Sequence, residues 1–394
     1  MSTDEKNVGG VAPLGPALVA GPNRAVGAQA CCARGGERFA ARKGRSKSAP
    51  LHTGLFWCLF VFFVANALAS VGAAPGGTLT VATYNVENYN SASRQTEAGY
   101  RPDYPKPEAQ KTALRTVIRR LDADVLALQE MGGPPYLEEL RRDLRAEGLD
   151  YPFGTVLEAD GLDPERHVAV LSKRPFTSVT RHTDLVAKFS GTQERVKRGL
   201  LEVRIAIGST ASALSTPSTL STSSGQAGSR RANSGQADTG QTAGGVELTL
   251  FVIHLKSRLT ERAEDPESAA QRAAEAEAVR DRVLKIFPDP AAAKFLILGD
   301  ANAGRAARAD RAGRPLRALE ARGNTTIAEW LPAADSRGEV WSYFYATTDT
   351  YERVDHILAS PALRPAVVAT RIEDGPGVKE ASDHRPVVVT LRME

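Results

Sequence analysis

The sequence predicts a layered α/β fold, and two observations carry that expectation. Along residues 78–394 short apolar runs alternate with amphipathic helical stretches, the pattern of strands and helices stacked in layers. Several of the apolar runs also end in an acid, an amide or a histidine, so one rim of such layers would collect polar groups. A composition of 42% hydrophobic and 24% charged residues belongs to a soluble globular protein.

The amino-terminal end stands apart from this pattern. Residues 1–50 are rich in Ala, Gly and Arg without helical or strand period and are expected to be a disordered basic leader. Leu55 to Ala69 (LFWCLFVFFVANALA) is a fifteen-residue run without charge, preceded by basic residues and ending in the small-x-small pattern Ala67-Leu68-Ala69. Residues 51–77 therefore read as a cleaved secretory signal, short of the ~20 residues that a membrane span needs. The uncharged interval from Ser48 to Val86 keeps an uncleaved membrane anchor as the alternative. Export to a periplasmic or extracellular space is the expectation.

Charge and cysteine usage exclude several classes. Residues 1–77 carry a net +5, leaving −1 for the other 317 residues. The globular part is not basic overall, so any nucleic acid would have to meet a local patch. Cys31, Cys32 and Cys58 all precede residue 60. This excludes a disulfide, a thiolate metal site and a cysteine nucleophile from the globular part.

In chain order, Thr78–Asn88 (TLTVATYNVEN) alternates Leu79 and Val81 as a strand closed by Asn85 and Asn88. Residues 89–106 are polar and proline-containing and are expected to be a loop. Ala109, Ala113, Leu114, Val117, Ile118 and Leu121 fall at helical spacing over 108–121. A strand over 124–130 ends in Glu130 beside Gly132 and Gly133, where a carboxylate can approach a cation. A helix over 136–145 and strands over 167–172 and 198–205 follow. Residues 208–245 are almost all Ser, Thr, Gly, Ala and Gln and contain SGQA twice. They cannot build a core. The flanking stretches 200–207 and 246–253 read as hairpin partners, so this insert replaces a turn and is dispensable. Without its 38 residues, 279 remain, enough for one monomeric domain.

The second half repeats the strand-end chemistry. Val246–Lys256 (VELTLFVIHLK) delivers His254 and Lys256; the histidine is either a satisfied core group or an oxyanion donor. A helix spans 268–286. Phe295–Asn302 (FLILGDAN) runs four apolar residues into Gly299, which lets the chain turn, and then Asp300 and Asn302. The acid can hold a water or a metal, and the amide can donate to an anionic oxygen. In Arg353–Ala359 (RVDHILA), Asp355 shares a strand face with Ile357, and His356 with Val354. Lys379–Pro386 (KEASDHRP) supplies Ser382, Asp383 and His384 before a last strand over 387–391. His384 becomes a general base only if a second acid orients its ring, and Asp355 is available for that. Each of these residues also has a plain structural alternative, as an Asx turn or a solvated loop carboxylate. Trp341–Tyr345 (WSYFY) is the one aromatic cluster after the leader and is expected to be a core strand that also walls the site. Lys188, Arg195, Lys197, Arg198, Arg258 and Arg262 form either a basic strip for a phosphate backbone or a solvated face.

The stretches YNVEN, LQE, HLKS, GDAN, VDHI and SDHRP, in this order, resemble the endonuclease/exonuclease/phosphatase superfamily across 78–394 apart from the insert. Ala301 departs from the pattern, which usually has a bulky residue there, and is expected to loosen local packing. The resemblance implies a four-layer sandwich of two packed mixed sheets flanked by helices, with the site at one rim. It also implies metal-assisted hydrolysis of a phosphate ester with Mg²⁺ or Mn²⁺. Glu130 would be the main ligand, supported by Asn85 and Asp383. Asp300 would position or deprotonate the attacking water, and Asn302 would hold a phosphate oxygen, with Asn85 also near the phosphate. His384, oriented by Asp355, would act as base or phosphate contact, and His254 would stabilise the pentavalent state. Lys256 and Arg198 would be further phosphate contacts.

The leading expectation is an exported nuclease or related phosphodiesterase. A phosphomonoesterase or a sphingomyelinase-like lipid phosphodiesterase is the alternative, and a non-catalytic binding module a third. The complete set of acids and histidines speaks against the last.

Overall fold

The structure is a computed structural model that describes residues 77–207, 246–260, 262–305 and 314–393, all within the compact unit Ala69–Glu394. The leader 1–50, the apolar run and the insert 208–245 lie outside the described residues. Among the described residues no helix is long and apolar enough to cross a membrane.

Two six-stranded mixed sheets form the frame. The first runs Val367–Ile372, Val387–Arg392, Thr78–Tyr89, Val125–Met131, His167–Ser172 and Phe153–Leu157. The second runs Glu329–Trp330, Asp355–Ala359, Phe295–Asp300, Glu247–His254, Leu200–Ala206 and Phe176–His182. Strand alternation sorts the side chains into three apolar layers. Leu79, Val81, Val125 and Val170 of the first sheet meet Val203, Leu250, Val252, Leu296, Leu298 and Ile357 of the second between the sheets. Ala82, Tyr84, Leu126 and Leu128 face outward onto helices Glu108–Leu121 and Pro134–Ala146. Phe251, Ile253, Phe295 and Ile297 face outward on the other side, onto helices Ala269–Ile286 and Arg314–Glu320. The result is the expected four-layer sandwich. Each fully buried Leu, Val or Phe of these layers contributes about 1.5–3 kcal/mol of transfer free energy.

The hairpin partners pair antiparallel, with Leu201 opposite Val252 and Ala206 opposite Glu247. The Ile207 amide donates to Val246 at 2.8 Å, so the chain leaves for the insert and returns from it at adjacent points.

Three expectations are corrected. Residues 89–106 are not one loop: Ser91–Thr96 and Gly99–Pro105 pair as a two-stranded ribbon. Their mostly exposed, polar side chains gave no alternation to read. Trp341–Tyr345 is not a core strand. Only Ser342 is fully buried, and Tyr343–Tyr345 pairs with Thr350–Glu352 in a rim hairpin. Gly299 does not turn the chain. It sits inside the strand at φ 141°, opposite Ile253, where an added Cβ would meet the Ile253 carbonyl oxygen at 2.0 Å. Ala301 is fully buried in the outer layer of the second sheet, with its amide bonded to Val354 O at 2.9 Å.

Candidate active site

The alternation that packs the central layer also builds the site. Asp300 follows Leu296 and Leu298 on the inward face, His254 follows Leu250 and Val252, and Asp355 precedes Ile357. Ladder register sets His254 beside Asp300 and Asp300 beside Asp355. Three polar side chains on adjacent strands therefore close one end of the space between the sheets. Asn85 reaches them from the first sheet, its Nδ2 donating to Asp300 Oδ2 at 3.0 Å. Ser382 Oγ donates to Asn85 O at 2.9 Å and accepts the His384 amide at 3.0 Å, which fastens the turn before the last strand to the same point.

Asp300, Asp355 and His384 form one tight cluster, with a ligand atom from each within 4.8 Å of the others. Its bonding is that of a proton-handling network. His384 Nδ1 donates to Asp355 Oδ2 at 2.8 Å, and Ser342 Oγ donates to the same oxygen at 2.8 Å. Burial works against the His384 imidazolium, but Asp355, with Asp383 and Asp300 close by, holds its pKa well above the ordinary range. Burial, and then the Asp355 charge, push the Asp300 carboxyl up to about 7. His384 Nε2 lies 4.0 Å and His254 Nε2 3.7 Å from Asp300 Oδ2. Burial, with Arg198 and His384 near it, holds His254 well below the usual imidazole range, so its ring is neutral. His254 Nδ1 and Asp355 Oδ1 are buried without a hydrogen-bond partner.

Glu130 stands at the mouth, its Oε1 3.9 Å from His254 Nε2. Between Asn85 and Tyr89 the first sheet carries a bulge opposite Glu130, and Glu87, Asn88 and Glu130 all adopt left-handed φ values (48°, 51° and 59°). Such strain in non-glycine residues gathers at functional sites. The bulge is held by cations: buried Lys106 Nζ donates to Glu87 O at 2.9 Å and Arg94 Nη2 to Asn88 O at 2.7 Å. The Asn88 amide donates to Glu130 Oε2 at 3.0 Å, while Asn88 Oδ1 is buried and unpartnered. Asp383 is pushed up to about 6 by burial and by the Glu87 and Glu130 carboxylates near it. The ligand atoms of Glu87, Glu130 and Asp383 do not draw together within 4.8 Å as those of Asp300, Asp355 and His384 do. With the orphaned Asn88 oxygen, these carboxylates are hard-oxygen donors of the kind a divalent cation such as Mg²⁺ or Mn²⁺ takes. Glu130 and Asp383 would hold it, joined by Glu87 and Asn88. Glu87 and Asn88 lie in the quoted YNVEN stretch, but the bulge that turns them to the mouth leaves no mark in the sequence.

The other expected residues fall behind this front. Asn85 Oδ1 accepts the Glu87 amide at 3.0 Å, so both ends of its amide brace the site. Asn302 Nδ2 donates to Leu255 O at 3.0 Å and to Asp300 Oδ2 at 3.3 Å. Both of its side-chain N–H groups are used, and the expected phosphate contact is a brace instead. Lys256 Nζ folds back on its own loop, donating to Ser257 O at 3.1 Å and to Leu259 O. Arg198 is buried, with Nε 3.2 Å from Asp163 Oδ2. The basic strip is largely consumed by ion pairs, Arg258 with Glu352 and Arg262 with Glu194. His356 is a core histidine: Trp330 Nε1 donates to its Nδ1 at 3.0 Å and its Nε2 donates to Ala303 O at 2.9 Å.

The rim hairpin stands over the site, with the Tyr343 ring 4.7 Å from that of His384. Beside it a cavity of about 700 Å³ is lined by Trp341, Phe344, Tyr351, Glu87 and Asp383. Arg258, Arg272, Arg305 and Glu352 line a second groove.

A four-layer sandwich with carboxylates and two histidines at one rim defines a phosphoesterase-type hydrolase. The chain belongs to the endonuclease/exonuclease/phosphatase family, whose model matches residues 82–384. Enzymes of this family act on phosphate esters and typically depend on a divalent metal. No curated protein matches the sequence. Among solved structures the chain is similar to an AP endonuclease from Archaeoglobus fulgidus (14% identity, 79% of this chain and 99% of that one, TM-score 0.48). It is also similar to sphingomyelinase C from Streptomyces griseocarneus (18% identity, 80% and 99%, TM-score 0.46). A third is an endonuclease/exonuclease/phosphatase from Beutenbergia cavernae (18% identity, 80% and 72%, TM-score 0.46).

Proposed function

We propose that the protein is an exported, metal-dependent phosphodiesterase whose preferred substrate is nucleic acid. The observation that carries the reading is the buried pairing of a carboxyl raised toward neutrality, Asp300, with an imidazolium fixed by a second acid, His384 on Asp355. A carboxylate with a pKa near the working pH is suited to take the proton of an attacking water. His384 offers its Nε2–H to an oxygen of the phosphate. Neutral His254 faces the same point and donates without adding charge. Asn85 and Asn302 hold the Asp300 carboxylate in place. A divalent cation bound at Glu130 and Asp383 would supply charge stabilisation for the leaving oxygen.

Nucleic acid is favoured because one cavity beside the rim hairpin takes in Glu87 and Asp383 and a second groove is lined by four arginines, Arg258, Arg272, Arg305 and Arg353, a setting suited to a phosphate backbone. A lipid phosphodiesterase is the second reading. Its support is the same hairpin, on which Tyr345 and Tyr351 are 46% and 51% exposed and could enter a headgroup layer. Export rests on the apolar run at 55–69, and mass spectrometry of the mature amino terminus tests it: an intact start in secreted material contradicts a cleaved signal.

The substrate test offers supercoiled plasmid, linear DNA, RNA, sphingomyelin vesicles, bis-p-nitrophenyl phosphate and p-nitrophenyl phosphate, each with Mg²⁺ and with EDTA. Metal-dependent nicking of DNA supports the first reading. Turnover of vesicles without nucleic acid moves it to the second, and turnover of the monoester alone makes the protein a phosphatase.

A further inference from the structure

Around the Glu130–His254 mouth the cationic side chains divide sharply by what they already hold. Lys106 is buried with both of its contacts on Glu87, and Arg94 is bonded to Asn88 O and Tyr104 O. Arg198 is buried against Asp163, Lys256 is folded on its loop, and Arg258 is paired with Glu352. Arg166 differs. Its side chain is 32% exposed, its Nε stands 4.0 Å from Glu130 Oε2, and its one hydrogen bond is a surface contact from Nη1 to the neighbouring Glu165 at 3.3 Å. The Glu130 oxygen it faces already accepts the Asn88 amide. Its positive charge also reaches His254, whose imidazolium it disfavours.

The backbone beneath Arg166 is fixed in a way that a solvated surface arginine does not need. Asp163 Oδ1 accepts the amides of Glu165 and Arg166, both at 3.1 Å. The Asp163 amide donates to Lys197 O at 2.8 Å, its Oδ2 faces Arg198, and Asn90 Nδ2 donates to Glu165 O at 2.6 Å. Arg166 then leads directly into His167–Ser172, whose first residue pairs with Met131 beside Glu130. The turn thus holds a partly exposed guanidinium at the mouth, beside Glu130.

We propose that Arg166 binds a non-bridging oxygen of the substrate phosphate at the Glu130 mouth. This rests on the phosphodiesterase reading above. A guanidinium is suited to the task because its planar fork can take two phosphate oxygens at once. The competing role is a simple counter-ion for Glu130, and the two roles separate experimentally.

The test uses the full chain and the variants Arg166→Ala and Arg166→Lys, since the partly exposed side chain lies outside the apolar layers. Inorganic phosphate binding is measured by calorimetry with Mg²⁺ present. Mg²⁺ binding is measured separately without phosphate, and bis-p-nitrophenyl phosphate turnover is followed alongside. The expected result for Arg166→Ala is phosphate binding weakened about tenfold or more, a KM for the diester raised in proportion with a smaller change in kcat, and a Mg²⁺ affinity unchanged within about twofold. Arg166→Lys should recover part of the phosphate affinity, as a point charge without the fork. Unchanged phosphate binding with a shifted Mg²⁺ affinity makes Arg166 a counter-ion and overturns the proposal. A wild-type protein that turns over diesters while Arg166→Ala matches it in KM overturns the role of Arg166 alone. A wild-type protein that neither binds phosphate nor hydrolyses any ester overturns the underlying reading and the proposal with it.

Discussion

Replacing Asp300 with Asn should abolish turnover and yet make the stability of the metal-free protein less sensitive to rising pH. The folded carboxyl has a pKa of about 7 against an ordinary 3.8, because it is buried beside Asp355. Between those values the folded chain keeps a proton that the unfolded chain has released. Stability therefore falls as pH rises through this window, and the cost is complete above pH 7. At 1.36 kcal/mol per unit the cost is on the order of 4 kcal/mol. Asparagine removes the charge but keeps one acceptor. It can still receive the Asn302 amide, now 2.7 Å from Oδ1, while its own NH2 group faces the Nδ2 donors of Asn85 and Asn302. Leaving those two donors without an acceptor costs about 1–3 kcal/mol each, an amount that does not change with pH. That cost opposes the charge relief at every pH, so the quantity to read is the change between conditions. Relative to wild type the variant should gain roughly 3 kcal/mol from pH 5 to pH 8, a relative Tm shift of roughly 5–10 °C for a domain of this size. At pH 5 the folded carboxyl is protonated while the unfolded one is largely ionised, so the wild-type cost has fallen only to about 1.6 kcal/mol. Asp300→Asn should therefore compare less well with the wild type there than it does at pH 8. Differential scanning calorimetry in EDTA at both pH values reads this directly. Equal destabilisation at pH 5 and pH 8 would refute the claim that burial strains this carboxylate.

Three further outcomes are expected. Lys106→Met leaves the Glu87 carbonyl without its 2.9 Å donor, costing about 1–3 kcal/mol in urea unfolding and raising the Mg²⁺ concentration needed for half-maximal activity; an unchanged Mg²⁺ requirement counts against the bulge as part of the metal site. Gly299→Ala drives a Cβ to 2.0 Å from the Ile253 carbonyl and should cost more than about 3 kcal/mol, seen as insolubility or a large fall in Tm; near-wild-type melting contradicts the close approach. Replacing residues 208–245 by Asn-Gly should leave Tm and kcat/KM close to wild type, because the strand ends at Ala206 and Glu247 are already paired and closing a shorter loop is, if anything, favourable; loss of activity would assign the insert a role at the site.

Much of the frame was legible because its code is local. Apolar runs such as Phe295–Leu298 must be buried, and an acid or histidine placed with inward parity at the end of such a run must lie at the rim. That logic located His254 and Asp300, while Asp355 and His384 came from the need of a histidine base for a second acid to orient it. It could not separate a residue that meets substrate from one that braces another. Asn85 and Asn302 have the right chemistry, but their amides are used by partners far away in sequence or in a different turn. In the sequence Glu87 does not stand out and Asn88 reads only as closing a strand, because their direction depends on a bulge, and a bulge is set by how two strands pair rather than by either alone. Arg166 carried no signal, since its place comes from a turn anchored on Asp163. The aromatic stretch at 341–345 misled in the opposite sense: β-prone residues suggested a core strand, and the structure uses them at the rim.

The central claim is that a buried acid–imidazolium network beside a divalent-cation mouth hydrolyses a phosphodiester. The most direct measurement is bis-p-nitrophenyl phosphate and supercoiled plasmid turnover by wild type, Glu130→Gln and His384→Ala, with Mg²⁺ and with EDTA, on samples whose circular dichroism matches. The account predicts turnover that EDTA abolishes, that falls by about 10²–10⁴-fold in His384→Ala, and that Glu130→Gln recovers in part at high Mg²⁺. Turnover by folded His384→Ala at the wild-type rate, or turnover indifferent to EDTA, would contradict it.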